Sequence, residues 1–393
     1  MGSEMCIRDS LNTSRRTKKP VAMAKMKGGG SMNTPHQMSG PYKILILGAS
    51  YGSLLAAKLL MAGHHVTLVC LPAEADAINQ DGIRVRLPVK GRDGLVEVDS
   101  RKLKGHIAAL GPDAAHPEDY DLIGLAMQEP QYRSAGVREL IERIAHSKKP
   151  AMSIMNMPPL PYLARLPGVD ASKLGPCFTD ASVWASFDPA RMTLCSPDPQ
   201  AFRPPDEPVN VLQVSLPTNF KVAKFGNAHD DAMLAHLQAY IEAARYDDGS
   251  GPVELPVKLK VHDSVFVPLA KWAMLLTGNY RCVQADGMRP IKDAVHSDLA
   301  LSRAIYEWVN ALCVKLGANP SDLVPFEKYA NAAQGLIRPS SAARALAAGA
   351  QNIERVDLVV KTLAAQLGLH HDEIDNTVMR VQAWLDQNRS QAK

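Results

Sequence analysis

The sequence predicts an α/β first domain built on a parallel sheet, followed by an all-α second domain. Three observations carry this. An apolar run at 43–47 ends in a glycine turn and a helical segment, buried strands and helical segments alternate as far as residue 155, and helical periodicities dominate after residue 261. The 393 residues, 46% hydrophobic and 21% charged, suffice for about two domains with cores of their own. The expected boundaries are 41–255 and 256–393, with 1–40 set aside as a leader.

The leader holds seven Lys and Arg against Glu4 and Asp9, a surplus of five, so the formal charge of +4 leaves −1 on the body. That balance, with only 5% aromatic residues, gives no basic face or stacking platform for nucleic acid. The run Met5-Cys6-Ile7-Arg8-Asp9-Ser10 resembles the translation of a sequencing-library adapter, which would place the natural start at Met32 or Met38. An Arg-rich transit peptide over 11–27 is the competing reading, opposed by Gly28-Gly29-Gly30 and by the missing apolar face.

The body begins with a strand at 42–47, a turn at 48–52, a helix at 53–62 stopped by Gly63, and a second strand at 66–70. Strand, glycine turn, helix and strand within about thirty residues are what a nucleotide-binding βαβ unit requires, so the first domain is expected to be Rossmann-like. Segments 83–87 and 95–99 flank a polar turn as a hairpin. A buried strand at 121–127, a helix at 131–146 and a strand at 150–155 continue the sheet. Residues 158–217 are proline-rich and hold a strand at 209–216. Helices follow at 264–279, 297–316, 321–334, 342–348, 351–367 and 372–387.

Six scattered cysteines with no C-x-x-C pair, and no histidines at metal spacing, predict a reduced cytoplasmic protein without a metal site. Pro268 and Lys271 interrupt the longest apolar stretch, which excludes a membrane span there.

The turn Gly48-Ala49-Ser50-Tyr51-Gly52 places free backbone N–H groups and a positive helix end where a pyrophosphate can sit. Ser50 stands where the usual pattern has its middle glycine, and Gly52 arrives one residue early. The plain alternative is a helix start capped by Ser50. At the end of the second strand, Cys70-Leu71-Pro72 offers neither the acid that holds an NAD ribose nor an arginine for NADP. Glu74 and Asp76 read as helix-start charges.

Four pieces together resemble the ketopantoate (2-dehydropantoate) reductase family: KILILGASYGSLLAAKLLMAGHHVTLV at 43–69, SIMNMPP at 153–159, KWAMLLTGN at 271–279 and RPSSAARALAAGA at 338–350. The resemblance implies a fold like that of 6-phosphogluconate dehydrogenase, with NADPH or NADH and a small 2-oxo acid meeting between the domains. It favours NADPH, a homodimer and a place in pantothenate synthesis. Residue by residue, it implies that Lys271 is the catalytic lysine, Asn279 a second catalytic residue, Ser341 and Glu354 substrate ligands, and Asn156 and Gln128 cofactor contacts beside 48–52. Three departures separate the chain from the family pattern: Gln128 replaces a lysine, Leu275 replaces an asparagine, and Glu354 falls one residue late.

The residues themselves support part of this. Reducing a ketone requires a proton donor for the developing alkoxide, and Lys271 lies in a segment apolar on nearly every face, where burial lowers a lysine pKa. Asn279, eight residues on, is expected near the same helix face, or as a cap after Gly278. Ser341 is expected to cap the helix at 342–348. Glu354 borders an apolar stripe and faces either cleft or water, while Asp357 and Lys361 read as an exposed i,i+4 pair. Asn156 ends a strand at the carboxyl edge of the sheet, where ligands of open α/β folds bind. Two other functions fit the same motifs: an opine-type dehydrogenase that reduces an imine, and a dinucleotide-binding sensor without turnover.

Overall fold

The computed structural model describes residues 40–247 and 249–392, and the leader reading lies outside them except at Gly40. Its first two thirds hold a sheet of eight strands and two smaller sheets, and the strands are taken here in chain order. They are β1 (Lys43–Leu47), β2 (His65–Val69), β3 (Arg84–Pro88), β4 (Leu95–Asp99), β5 (Ile107–Leu110), β6 (Leu122–Leu125) and β7 (Ala151–Ser153). Then come β8 (Met192–Ser196), β9 (Gln200–Phe202), β10 (Val211–Leu216), β11 (Phe220–Ala223), β12 (Tyr246–Asp247), β13 (Pro252–Val253) and β14 (Leu259–His262).

The large sheet runs β14-β11-β8-β7-β6-β1-β2-β5 and is parallel throughout except for the β8–β11 pair. Ile44–Leu47 and all of β6 and β7 are buried, as continuous apolar strands covered on both faces must be. A second sheet, β4-β3-β10-β9, is half-buried and alternates accordingly, with β3 and β4 as the expected hairpin. The last strand of the large sheet, β14, lies C-terminal of the expected boundary at 255.

The helices are α1 (Ala49–Met61), α2 (Pro72–Asp81), α3 (Val137–Ser147), α4 (Leu160–Leu163), α5 (Ala228–Ala243) and α6 (Lys271–Met274). The rest are α7 (Ile291–His296), α8 (Leu299–Lys315), α9 (Phe326–Ala333), α10 (Ser341–Ala347), α11 (Val356–Gln366) and α12 (Asp372–Gln391). The helical second half packs on one face of the sheet through a core that joins Leu45, Ile123 and Leu125 to Trp272, Tyr306 and Val360. A second core lies on the opposite face and joins Ile44, Ile46 and Leu68 to α1, α5 and the small sheet.

Several elements differ from the sequence reading. The helix expected over 264–279 is broken into a 3-10 turn (Pro268–Ala270), the single turn α6, a π-helical turn (Leu275–Asn279) and a further 3-10 turn (Tyr280–Cys282). Helix α11 starts only at Val356, and residues 350–355 precede it without helical structure, with the Glu354 carbonyl and the Val356 amide both bonded to Tyr280 Oη. Helix α5 was not expected, although Asn227 caps it and Met233, Leu234, Leu237 and Ile241 form its buried stripe. Asp357 is a correction: it is fully buried against Arg355 at 2.9 Å, and Lys361 pairs with Asp375 instead.

Candidate active site

Helix α1 begins immediately after β1, and its N-cap is Gly48 with no side chain capping it; Ser50 lies exposed in the first turn and does not serve as the cap. Gly48 has φ +102°, and a Cβ there would stand 2.8 Å from the carbonyl oxygen of Ala126 at the end of β6. A Cβ on Gly52 would stand 2.8 Å from Ile46 Cγ2. These two glycines therefore let the turn and helix seat closely against the sheet, leaving the first amides of α1 without a side-chain acceptor. The Gly48 amide is taken by the Val69 carbonyl at 2.9 Å, so it is the amides of the first turn, from Ala49 to Tyr51, that could face a dinucleotide pyrophosphate. Tyr51 turns away from the turn and donates a 2.7 Å hydrogen bond to the carbonyl of Pro199.

Gln128 and Asn156 follow β6 and β7 at the same carboxyl edge. Gln128 is exposed and starts a short 3-10 turn, its amide bonded to Gln131. Asn156 is half-buried; its Nδ2 donates to Glu354 Oε2 at 3.3 Å, while its Oδ1 is buried without a hydrogen bond. Glu354 faces this edge rather than water, with 8% of its surface exposed. Burial pushes its carboxyl up to about 7, against the opposing influence of Asn156 and the amides of Glu129 and Met157. Its backbone is fixed on the C-terminal side. Tyr280 Oη donates to the Glu354 carbonyl at 2.5 Å and accepts from the Val356 amide, and the Arg355–Asp357 ion pair lies buried behind.

Lys271 opens α6 with its side chain 21% exposed. Its Nζ donates to the carbonyl of Pro197 at 2.7 Å and lies 3.9 Å from Asp198 Oδ1. Burial lowers its pKa, and Asp198 and Glu354 oppose the shift. The lysine, Asn156 and Glu354 thus belong to one electrostatic neighbourhood at the carboxyl edge of the sheet. Asn279 is half-buried and its side chain makes no hydrogen bond to the described residues, but the π turn between it and Lys271 removes the regular spacing that predicted a shared face.

Ser341 is exposed, and the expected capping role belongs to its neighbour: Ser340 Oγ accepts from the Ala343 amide and donates to the carbonyl of Asn279 at 2.8 Å. Two further groups escaped the sequence reading. Asp198 is one. Arg203 is the other, reaching from beyond β9 to pair with Glu74 beside Cys70, at the end of β2. Glu74 also accepts from the Leu71 amide, as the helix-start charge it was expected to be. Neither Asp198 nor Arg203 carried a local signal, because both are placed by pairing between distant strands. Among the described residues no group of three or more His, Cys, Asp or Glu converges, and no helix is long and apolar enough to cross a membrane.

Residues 44–156 match the family model described as ketopantoate reductase PanE/ApbA. No curated protein sequence matches the chain significantly. Solved structures share the fold over most of its length. A 2-dehydropantoate 2-reductase from Methylococcus capsulatus has a TM-score of 0.60 at 13% identity, covering 88% of this chain and 97% of its own. A PanE/ApbA family ketopantoate reductase from Ralstonia eutropha JMP134 has a TM-score of 0.57 at 15% identity, covering 88% and 99%. D-mandelate dehydrogenase, solved with NADH and anilino(oxo)acetate, has a TM-score of 0.57 at 14% identity over the same shares. Residues 44–156 are thus similar to the ketopantoate reductase family model, and the fold of the chain, an α/β part followed by a helical part, is shared with these enzymes.

Proposed function

We propose that the protein is an NADPH-dependent reductase of a small 2-oxo acid, with Lys271 as general acid. The observation that carries this reading is a half-buried lysine under the charge of a buried carboxyl, itself hydrogen-bonded to an asparagine with an unsatisfied acceptor at the carboxyl edge of the sheet, beside a turn shaped for a dinucleotide. Bound NADPH would supply the hydride. The turn of Gly48, Ala49, Ser50, Tyr51 and Gly52 would hold its pyrophosphate, and Gln128 and Asn156 would line its nicotinamide end, where Asn156 Oδ1 can accept from a carboxamide. Lys271 Nζ then gives its proton to the substrate carbonyl oxygen as negative charge develops there. Glu354 and Asn279 orient the 2-oxo acid with the Ser340–Ser341 corner, where Ser341 is the exposed member. A homodimer is part of the proposal and rests on the resemblance alone.

The class of substrate is supported by the shared fold with a dehydrogenase solved with an oxoacetate, and that relative also makes NADH the natural competitor cofactor. The test is nicotinamide oxidation across a panel of 2-oxo acids that includes ketopantoate, with and without an added amine. Lys271→Ala should lower kcat by about 10²–10⁴-fold at neutral pH. Activity should fall as pH rises through the Lys271 pKa, since only the ammonium can donate. Turnover that requires the amine would identify an opine-type enzyme; tight cofactor binding without turnover would identify a sensor.

A further inference from the structure

Strand β8 ends at Ser196, and the chain crosses through Pro197-Asp198-Pro199 to β9 in the other sheet. This crossing touches both halves of the candidate site. The Pro197 carbonyl accepts from Lys271 Nζ at 2.7 Å, and the Pro199 carbonyl accepts from Tyr51 in the glycine turn at 2.7 Å. Between them the Asp198 carboxylate is largely buried and bonded to the Ser196 hydroxyl. It stands 3.0 Å from Lys221 Nζ on β11 and 3.9 Å from Lys271 Nζ.

A carboxylate in such a position would be costly without compensating charge. Here two ammonium groups share it, and the proline on each side restricts the backbone that carries it. The lysine in turn needs a counter-charge, since its surroundings are otherwise those of an apolar helix on a sheet. The charged groups that act on Lys271 are Asp198 from the crossing, Glu354 from the lead-in to α11, and Lys221 from β11. Of the two acids, Glu354 is the one that burial pushes toward its neutral form, whereas Lys271 and Lys221 hold the Asp198 carboxyl low against its own burial.

We propose that Asp198 is the positioning residue of Lys271: its carboxylate keeps the lysine in the ammonium form and, with the Pro197 carbonyl, fixes the direction of Nζ, while Lys221 sets how much of that negative charge Lys271 receives. The proposal rests on Lys271 being the proton donor proposed above, yet its charge relation to Asp198 can be measured without turnover. Asp198 itself touches no substrate. It acts through the lysine.

The experiment is titration of the Lys271 ammonium by NMR on 15Nζ-lysine-labelled full-length protein, with the resonance assigned by its loss in Lys271→Met. Asp198→Asn keeps size and one acceptor oxygen and removes the charge, so the Lys271 pKa should fall by about 1–2 pH units. Lys221→Met removes a competing cation and should move it up. The alkaline limb of the kcat profile should follow in the same two directions. Opposite shifts are a signature that loosened packing does not produce. A Lys271 pKa unmoved in both variants, or moved in the same direction by both, would overturn the proposal. Shifts in the expected directions in a protein that reduces no oxo acid would uphold the Asp198–Lys271 relation while defeating the functional reading on which its purpose depends. Should Asp198→Asn fail to fold, Lys221→Met alone decides, by an upward shift or its absence.

Discussion

Glu354 shows how much of a site residue's behaviour comes from a few neighbouring atoms. Its carboxyl is buried, and the chain immediately after it is fastened by Tyr280 and by the Arg355–Asp357 pair. Because its folded pKa is about 7, above the ordinary carboxyl value, the native state binds this proton more tightly than the unfolded chain. The corresponding stability is present in full at acid pH and is lost as pH rises toward 7, amounting to roughly 3 kcal/mol across that window. Glu354→Gln cannot ionise and should lack this loss. Denaturant unfolding of both proteins at pH 4.5 and 7.5 measures it: the variant should gain on the parent as pH rises, and parallel behaviour would show that the carboxyl ionises freely in the fold. The sequence left the direction of Glu354 open for a definite reason. The apolar stripe of Ile353, Val356 and Val360 reads as helix from its first member, and only the tertiary bonds of residues 354–356 show that the helix starts later. Asp357 was misjudged through the same assumption, since a helix begun at 351 would turn it outward beside Lys361.

At the scale of elements, the segment that carries Lys271 is the least regular in the second half. Tyr329 Oη on α9 donates to the Met274 carbonyl at 3.1 Å, at the point where α6 passes into the π turn. The hydroxyl reaches that carbonyl because residue 278 is glycine: a Cβ there would lie 2.0 Å from the Tyr329 oxygen. An inserted hydrogen-bond donor is one of the physical causes of helix irregularity. Gly278→Ala should therefore destabilise the protein by about 1–3 kcal/mol through overpacking. Adding Tyr329→Phe, which removes the obstructing oxygen, should recover part of that loss, so the two substitutions are non-additive in urea unfolding. Equal stability of Gly278→Ala and the parent would mean that the tyrosine is not seated against this turn. Periodicity over 264–279 identified the buried, lysine-bearing segment correctly, yet it could not detect the break, because a π turn inserts a local change of phase without altering the apolar character of the residues. The glycine alone was a visible sign, and it also suited the end of a helix.

For the whole molecule, the strongest divide lies between what neighbours in sequence determine and what distant pairing determines. The βαβ unit at 43–69 was legible because turn, helix and strands are contiguous and each carries its own pattern. Of the proline-rich stretch at 158–217 only the strand at 209–216 was legible, as β10; β8 and β9 were not, because they are short, belong to two different sheets and are placed through partners as distant as β7 and, by way of β10, β3. That pairing delivers Asp198 to the lysine and Arg203 to the end of β2. The second delivery bears on the cofactor. An arginine there is suited to a 2′-phosphate by its planar fork, and its present partner Glu74 would repel the same phosphate if left alone. Arg203→Ala should thus weaken NADPH binding strongly and NADH binding little, turning the preference between the two. Thermal unfolding reads this without any substrate, since a ligand present at a hundred times its Kd stabilises the native state by about 2.7 kcal/mol. In the parent protein NADPH should raise the Tm more than NADH at equal concentration, and in Arg203→Ala the order should vanish or reverse. If both cofactors lost the same increment, the arginine would be holding α2 in place through Glu74, and discrimination between the cofactors would have to come from another residue at the end of β2.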